Sequence, residues 1–233
     1  MLIKDPWAQL RDFTKARIAL GRVGHSLPTP EWLDFQLAHA KARDAVHRPI
    51  DLRRFDSLNP VLLRSRAPDR TTYLRRPDLG RRLAPDSAEL LMPGKSDAVI
   101  VIADGLSAAA VEREAFPLIQ VIRSQLPRWD FAPICVVQQG RVAIADEIGE
   151  IVGARMSVIL IGERPGLSSP ESMGVYLTWA PRIGRTDAER NCISNIHGGG
   201  LSTDVAGQRT VQLMQAARER KLTGVALPLL AAP

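Results

Sequence analysis

Three uninterrupted apolar runs, separated by two helical segments, constrain the fold of this 233-residue chain more than any other feature. The runs lie in DAVIVIADG, APICVVQQG and MSVILIG, at residues 97–105, 132–140 and 156–162. Strands without polar alternation suit a sheet that is covered on both faces. Because SAAAVEREAFPLIQVIRSQL and RVAIADEIGEIVG between them have helical periodicity, the order strand–helix–strand–helix–strand predicts parallel strands with right-handed crossovers.

Two more strands and a final helix are predicted toward the C-terminus. The apolar segments GVYLTWA (174–180) and CISNI (192–196) are typical of strands, and STDVAGQRTVQLMQAARERK (202–221) is typical of a helix. The basic end of that helix suits the negative end of the helix dipole. Residues 96–233 are therefore predicted to form an α/β domain around a parallel sheet.

Residues 1–95 predict a small helical N-terminal region and an irregular connection rich in Arg and Pro. DPWAQLRDFTKARIAL (5–20) predicts a first helix, and Thr29-Pro30 is typical of the start of a second one. The second helix is expected to bury an apolar stripe: Trp32, Leu33, Leu37 and Ala40. In the connection we expect a short strand around Thr72–Leu74 and a helix near Pro85–Leu91.

Charge and composition restrict the partners and the compartment. The net charge of +6 indicates either an arginine-rich solvated surface or an anionic partner, and both explanations stay open. Aromatic residues make up only 5%, which argues against a base-stacking platform for nucleic acid. No apolar run approaches the ~20 residues that span a bilayer. The N-terminus lacks the apolar core of a signal peptide, and the two cysteines suit free thiols, so we expect a cytoplasmic protein without membrane contact.

Polar side chains and glycines follow each of the three apolar runs, in ADGLS, QQGRV and GERPGL. Ligands of open parallel sheets bind beyond the carboxyl ends of the strands, and glycine lets a ligand approach the backbone closely. The sequence thus predicts a pocket with these polar side chains: Asp104, Gln138, Gln139, Arg141, Glu163 and Arg164. Ordinary turns explain the same pattern, since Pro165-Gly166 is a common turn dipeptide and Glu163 could pair with an arginine. Both explanations stay open at this point.

Sequence motifs of self-sufficient catalysis are absent. The chain contains no GxGxxG, no GxSxG, no HExxH and no DxHxxG, the last of which is typical of some cobalamin proteins. GKS at 94–96 resembles the end of a P-loop, but Glu89 occupies the first glycine position and a strand follows instead of preceding it. HGGG at 197–200 has no matching nucleophile motif. We therefore expect no catalytic residue and no metal site in this chain.

Six segments in sequence order resemble one known family, the small subunit of ethanolamine ammonia-lyase. The resemblance covers the chain from about Thr14 to Gly224. The segments are YLRRPDLGRRL (73–83), ADGLSA (103–108), GRVAIADEIGE (140–150), VILIGERPGLSSPES (158–172), YLTWAPR (176–182) and RTDAERNCISNIHGGG (185–200).

The resemblance implies a fold, a reaction and a partner. The implied fold is a Rossmann-like α/β domain, and the implied partner is a large TIM-barrel subunit that holds the substrate ethanolamine. Adenosylcobalamin would lie at the subunit interface with its dimethylbenzimidazole base kept on cobalt, which agrees with the missing DxHxxG. The implied radical reaction releases acetaldehyde and ammonia. Some family members carry an N-terminal extension that directs them to a bacterial microcompartment, and its lack here favours the cytoplasm.

Three cobalamin contacts of the family correspond to Val142 in GRV, Glu163 in GERPG and Cys192 in NCISN. Glu163 would accept hydrogen bonds from the amide side chains of the cofactor, or else form a salt bridge within the chain. Val142 would pack against the corrin or its base, or else simply fill the core. Cys192 would contact the ligand, or else be a buried inert thiol, the role that we assign to Cys135.

Other interpretations of the sequence imply other partners. The arginines of RRPDLGRR (75–82) are expected at the large subunit, at the cofactor phosphate or, for most of them, on a solvated face. A stand-alone nucleotide-binding enzyme with a Rossmann-like fold is the alternative function, although no phosphate-gripping loop supports it. A nucleic-acid-binding module is suggested only by the basic charge, and we expect no nucleic-acid partner.

Overall fold

The computed structural model describes residues 7–14 and 16–227. The helices are α1 (Thr29–His47), α2 (Arg70–Arg75), α3 (Pro85–Ala88), α4 (Ala108–Gln125), α5 (Ile144–Ile151) and α6 (Thr203–Arg220). The strands are β1 (Val61–Arg64), β2 (Val99–Ala103), β3 (Cys135–Gln138), β4 (Met156–Gly162), β5 (Met173–Trp179) and β6 (Arg190–Ile196). Short 3₁₀ segments lie at Ala8–Phe13, Leu52–Leu58, Leu79–Arg81, Asp187–Glu189 and Gly224–Ala226. The α/β class predicted from the sequence is confirmed.

The six strands form one mixed sheet in the order β1-β3-β2-β4-β5-β6. β3, β2 and β4 are mutually parallel, as the apolar runs predict, and β1 is parallel to β3 as well. The expectation of an entirely parallel sheet is wrong, because β5 pairs antiparallel with both β4 and β6. A parallel crossover needs about a dozen or more residues. The short connection 163–172 therefore closes a hairpin, in which Gly162 pairs with Met173.

Both faces of the sheet are covered by helices. Ile100 and Ile102 of β2 point toward the layer that contains α4 and α6. Val99 and Val101 of the same strand point toward α5. Every residue of β2 and β4 is buried. The uninterrupted apolar runs therefore belong to strands covered on both faces, as predicted.

The connection between the N-terminal region and β2 differs from its prediction. Thr72–Leu74 lies in α2 and not in a strand, because the carboxylate of Asp69 caps that helix by accepting the backbone N–H of Thr72 at 2.8 Å. The helix expected near Pro85–Leu91 is confined to α3. Strand β1 was not predicted, and its pairing with β3 brings residues before 95 into the sheet. The division into 1–95 and 96–233 stays a prediction.

The N-terminal region is helical to a smaller extent than expected. The first helix of the prediction is a 3₁₀ segment at Ala8–Phe13 that buries none of its residues, and residues 5, 6 and 15 of the predicted span lie outside the described residues. α1 begins at Thr29, but its expected buried stripe is wrong. Trp32 and Leu37 are 47% and 55% exposed, and Ala38 is the one residue of α1 that is buried. Among the described helices, none is long and apolar enough to cross a membrane.

Candidate functional site

β2 is the strand at which the sheet reverses its direction of growth. α4 leads from β2 to β3 on one side, and α5 carries the chain from β3 past β2 to β4 on the other side. The loops that follow β2 and β3 therefore lead to opposite faces of the sheet, and the loop after β4 lies at the same carboxyl end. Open α/β sheets bind their ligands at such a switch point.

A cleft of about 400 Å³ opens at this switch point. Its chemistry is set by six side chains from α2, the loops after β3 and β4, and β5: Tyr73, Arg141, Val142, Glu163, Arg164 and Tyr176. The structure thus brings two of the three predicted site residues, Val142 and Glu163, to one cleft. Val142 is half-buried and also packs against the core on the α5 face, so both of its predicted roles are compatible with its position.

Glycines let the loops behind the cleft pack against one another. Gly105 has φ +55°, and a Cβ atom there would stand 2.1 Å from the carbonyl oxygen of Gly162. The N–H of the next residue, Leu106, donates to that same oxygen at 2.8 Å. The end of β4 and the loop after β2 are therefore joined directly, backbone to backbone, where the cleft begins.

Tyr73 is fully buried beside the cleft and lies between two guanidinium groups. The guanidinium carbon of Arg141 lies 4.2 Å from the ring centroid, and that of Arg70 lies 4.7 Å from it. The phenol donates to the backbone carbonyl of Gly140 at 3.0 Å. Burial raises the pKa of Tyr73, which keeps the hydroxyl a hydrogen-bond donor. α2 thereby holds the loop after β3 in place. Apart from the arginine-rich segment around Tyr73, the sequence contains no signal for this role.

Asp104 lies next to this stack as a buried carboxylate. Its Oδ1 accepts the backbone N–H of Gly140 at 3.2 Å, and its Oδ2 accepts Nη1 of Arg70 at 3.2 Å. Burial raises its pKa to about 6, although Arg70 and backbone N–H groups lower it. Asp104 thus acts within the protein, joining the loops after β2 and β3, and it does not line the cleft.

Glu163 begins the loop after β4 and is held in place by that loop. Its Oε2 accepts Ser172 Oγ at 2.7 Å and the backbone N–H of Asn195 at 3.1 Å. Among residues 7–14 and 16–227, no Arg or Lys forms an ion pair with it. The alternative prediction of a salt bridge is therefore wrong for the described residues, and Oε1 has no hydrogen-bond partner among them.

Cys192 lies on β6 opposite Tyr176 of β5, beside the cleft. Burial raises the pKa of its thiol, a hydrogen bond with Tyr176 lowers it, and the Glu163 carboxylate raises it further. Cys192 is nevertheless an exposed residue, so the alternative of a buried inert thiol is wrong. Cys135 is buried in β3 as predicted, and burial raises its pKa to about 12.

Comparison with known proteins decides the family. The sequence model of the family described as "Ethanolamine ammonia-lyase light chain (EutC)" matches residues 4–228. A protein of Azotobacter vinelandii named "Ethanolamine ammonia-lyase small subunit" is 57% identical over an alignment of 239 positions. The alignment covers 96% of this chain and 88% of the relative. Proteins of the same name from Pseudomonas fluorescens and Pseudomonas syringae are 53% and 52% identical and are covered to 87% and 83%.

The chain belongs to the ethanolamine ammonia-lyase light-chain family. The resemblance drawn from its six sequence segments is confirmed. Membership also explains why a chain with a ligand-sized cleft lacks the motifs of a self-sufficient enzyme, since its relatives are named as subunits.

The HGGG segment of this light chain does not build a nucleophile site. His197 follows β6, and its Nε2 lies 3.2 Å from Ser169 Oγ and 2.9 Å from Asn195 Oδ1. Its Nδ1 accepts the N–H of Gly199 at 3.1 Å. Both ring nitrogens are therefore engaged by neighbouring loop groups, and the oxyanion-hole resemblance of HGGG has no nucleophile motif beside it. Within the described residues, no group of three or more His, Cys, Asp or Glu side chains is arranged to hold a metal ion.

Proposed function

We propose that this light chain is the small subunit of an adenosylcobalamin-dependent ethanolamine ammonia-lyase, which converts ethanolamine to acetaldehyde and ammonia. In this proposal its cleft holds part of the cobalamin against a TIM-barrel large subunit, and the core resembles a Rossmann domain with an added antiparallel hairpin. The observation that carries the proposal is the family match over nearly the whole chain. The position of Val142 and Glu163 in one switch-point cleft, with Cys192 beside it, supports it.

The polar side chains that line the cleft fit a large ligand rich in amides. Arg164 supplies N–H donors to the lining, and Oε1 of Glu163 is an acceptor without a partner among the described residues. The rim of a corrin carries amide carbonyls and amide N–H groups, which complement both kinds of atom. A whole cobalamin is larger than this cleft, so a second protein would have to enclose the rest.

The chemistry of the bound cofactor is the homolysis of its cobalt–carbon bond, and the protein supplies binding and orientation. We assign this chain no catalytic residue. Glu163 Oε1 would accept an amide N–H, Val142 would pack on an apolar face of the ligand, and Cys192 with Tyr176 would close the side of the cleft. Retention of dimethylbenzimidazole on cobalt would need no histidine ligand from this chain, in agreement with the absence of DxHxxG.

The experiment that tests this proposal measures acetaldehyde release from ethanolamine and adenosylcobalamin. Three samples are compared: this chain alone, a cognate large subunit alone, and the two mixed. We expect activity in the mixture only. No activity in a folded mixture would overturn the proposal. Binding of a nucleotide such as ATP, without binding of any corrinoid, would support the alternative of a stand-alone nucleotide-binding enzyme.

We also propose that the enzyme works in the cytoplasm, either free or enclosed in a bacterial microcompartment. The composition and the short apolar runs support the cytoplasm. Fractionation of cells grown on ethanolamine tests it: a light chain recovered with the membranes or in the medium would overturn the proposal.

A further inference from the structure

The cleft has more positive than negative charge. Arg141 and Arg164 both line it, and neither forms an ion pair with a described residue. Among the part of the chain that the structure describes, Glu163 is the one acidic side chain of the lining, and its Oε2 already accepts Ser172 and the N–H of Asn195. A ligand of this cleft therefore meets two guanidinium groups without a protein counterion.

Arg141 differs from an ordinary surface arginine because the fold holds it in place. Its backbone N–H donates to the carbonyl of Gly80 at 2.7 Å, and its Nη2 donates to the carbonyl of Tyr73 at 3.2 Å. Its guanidinium lies over the Tyr73 ring in a cation–π contact at 4.2 Å. Its Nε is nevertheless buried and without a partner among the described residues, while Nη1 has none there either. Nε is enclosed by the protein, so Nη1 is the donor of this fixed guanidinium that remains open to a ligand.

No carboxylate among the described residues forms an ion pair with Arg141. Asp104 is the buried acid of this region, and its two oxygens accept Gly140 N–H and Arg70 Nη1. Arg70 contacts the same Tyr73 ring as Arg141, so two cations surround one ring beside one carboxylate. A partly buried cation without a counterion is costly, which makes an external anion the group that completes this arrangement.

We infer that Arg141 anchors an anion subsite of the cleft, and that this subsite takes a phosphodiester group. The inference rests on the proposed function. A fixed guanidinium that has an open Nη1 donor and no counterion favours an anionic phosphate oxygen over a neutral carbonyl oxygen. The amide side chains of a cobalamin are neutral, and its phosphodiester, in the nucleotide tail, is its anionic group. Arg141 would therefore select ligands that carry the tail.

The test compares two corrinoids that differ in this group. The complex of the full chain with its large subunit is titrated with cyanocobalamin and with dicyanocobinamide, which lacks the phosphodiester, the ribose and the base. Arg141→Met should weaken the binding of cyanocobalamin roughly 10- to 100-fold. It should leave the affinity for dicyanocobinamide unchanged. Arg141→Lys, which keeps the charge, should recover part of the affinity for cyanocobalamin.

A matched control is Arg182→Met, which removes one exposed positive charge outside the cleft and should change neither affinity. Circular dichroism shows whether each variant keeps its fold. Equal loss of affinity for both corrinoids in folded Arg141→Met, or no loss for either, overturns the phosphodiester subsite but leaves the proposed function standing. A wild-type complex that binds neither corrinoid overturns both.

Discussion

Oδ2 of Asp104 and Nη1 of Arg70 lie 3.2 Å apart beside the cleft, and their side chains are only 4% and 15% exposed. Each residue of this pair also makes a hydrogen bond to another segment. Asp104 accepts the N–H of Gly140 in the loop after β3, and Arg70 Nε donates to the carbonyl of Val46 in α1 at 2.7 Å. One ion pair therefore connects the loops after β2 and β3 to α1 and α2.

The buried carboxylate of Asp104 should make stability depend on pH. Its pKa is raised from 3.8 to about 6, so the folded state binds its proton more tightly than the unfolded state does. The stability that this protonation contributes is fully present below about pH 4 and is lost as the pH rises through 6. We expect a total change of about 3 kcal/mol in the free energy of unfolding, since one pKa unit corresponds to about 1.4 kcal/mol.

Asp104→Asn provides the comparison, because asparagine does not titrate. The difference in unfolding free energy, wild type minus variant, should be largest near pH 4 and should fall toward pH 7. Urea unfolding at intervals across that range measures it. A difference that stays constant with pH would show that Asp104 keeps an ordinary pKa in the folded protein.

Gly105→Ala should destabilise the fold more than Gly184→Ala does. At φ +55° an alanine is strained by about 1–2 kcal/mol, and its Cβ atom would also stand 2.1 Å from the Gly162 carbonyl. Gly184 has φ +96°, and beyond its chain neighbours no atom of residues 7–14 and 16–227 lies within 4 Å of the place that a methyl group would take, so Gly184→Ala should cost the backbone strain alone. Thermal unfolding of both variants tests this, and equal shifts in Tm would argue against the close contact of the two loops.

Glu163→Ala should weaken cobalamin binding in the assembled enzyme roughly 10- to 100-fold, the equivalent of one hydrogen bond to a charged group. Part of the change would be structural, because Ser172 and the N–H of Asn195 lose their acceptor. Glu163→Gln separates the two effects, since its amide oxygen can keep those contacts without the charge. Equilibrium titration with cyanocobalamin measures both variants, and wild-type affinity in both would remove Glu163 from the binding site.

The switch-point cleft was largely predictable because its signals are local. Each of the three apolar runs is a buried strand, and the polar residues after them meet at one edge, as parallel strands require. The direction of β5 was mistaken because the apolar pattern of GVYLTWA is the same for either direction. The connection 163–172 is too short for a parallel crossover, and this length was the feature that indicated an antiparallel β5.

The contribution of α2 was not predictable from the pattern. Tyr73 and Arg70 come near the cleft only because β1 pairs with β3 and carries the following helix to the ends of the strands. The exposed face of α1 illustrates a related limit. Helical periodicity states which side chains share a face, whereas the burial of Trp32 and Leu37 depends on whether another element covers that face.

The two cysteines should differ in their reactivity. Cys192 is exposed, whereas Cys135 is buried in β3, where burial raises its pKa to about 12. Because the thiolate is the reactive form, iodoacetamide at pH 8 should modify Cys192 in the native protein and Cys135 only after unfolding. Mass spectrometry of the peptides reports both sites. Cyanocobalamin bound in the assembled enzyme should slow the modification of Cys192, and an unchanged rate would count against its place beside the ligand.

Arg190→Met should be the most destabilising of these substitutions. Arg190 and Asp146 form an ion pair whose side chains are 3% and 2% exposed, and it joins β6 to α5. Burial raises the pKa of Asp146 even with this partner present, so removal of the arginine leaves a buried carboxylate without its main counterion. The expected loss is about 3–5 kcal/mol of unfolding free energy at pH 7. Arg64→Met is the matched control, because the Arg64–Asp86 pair is 56% and 60% exposed and should contribute less than about 1 kcal/mol. Urea unfolding measures both, and similar losses in the two variants would mean that the buried pair is no stronger than a surface one.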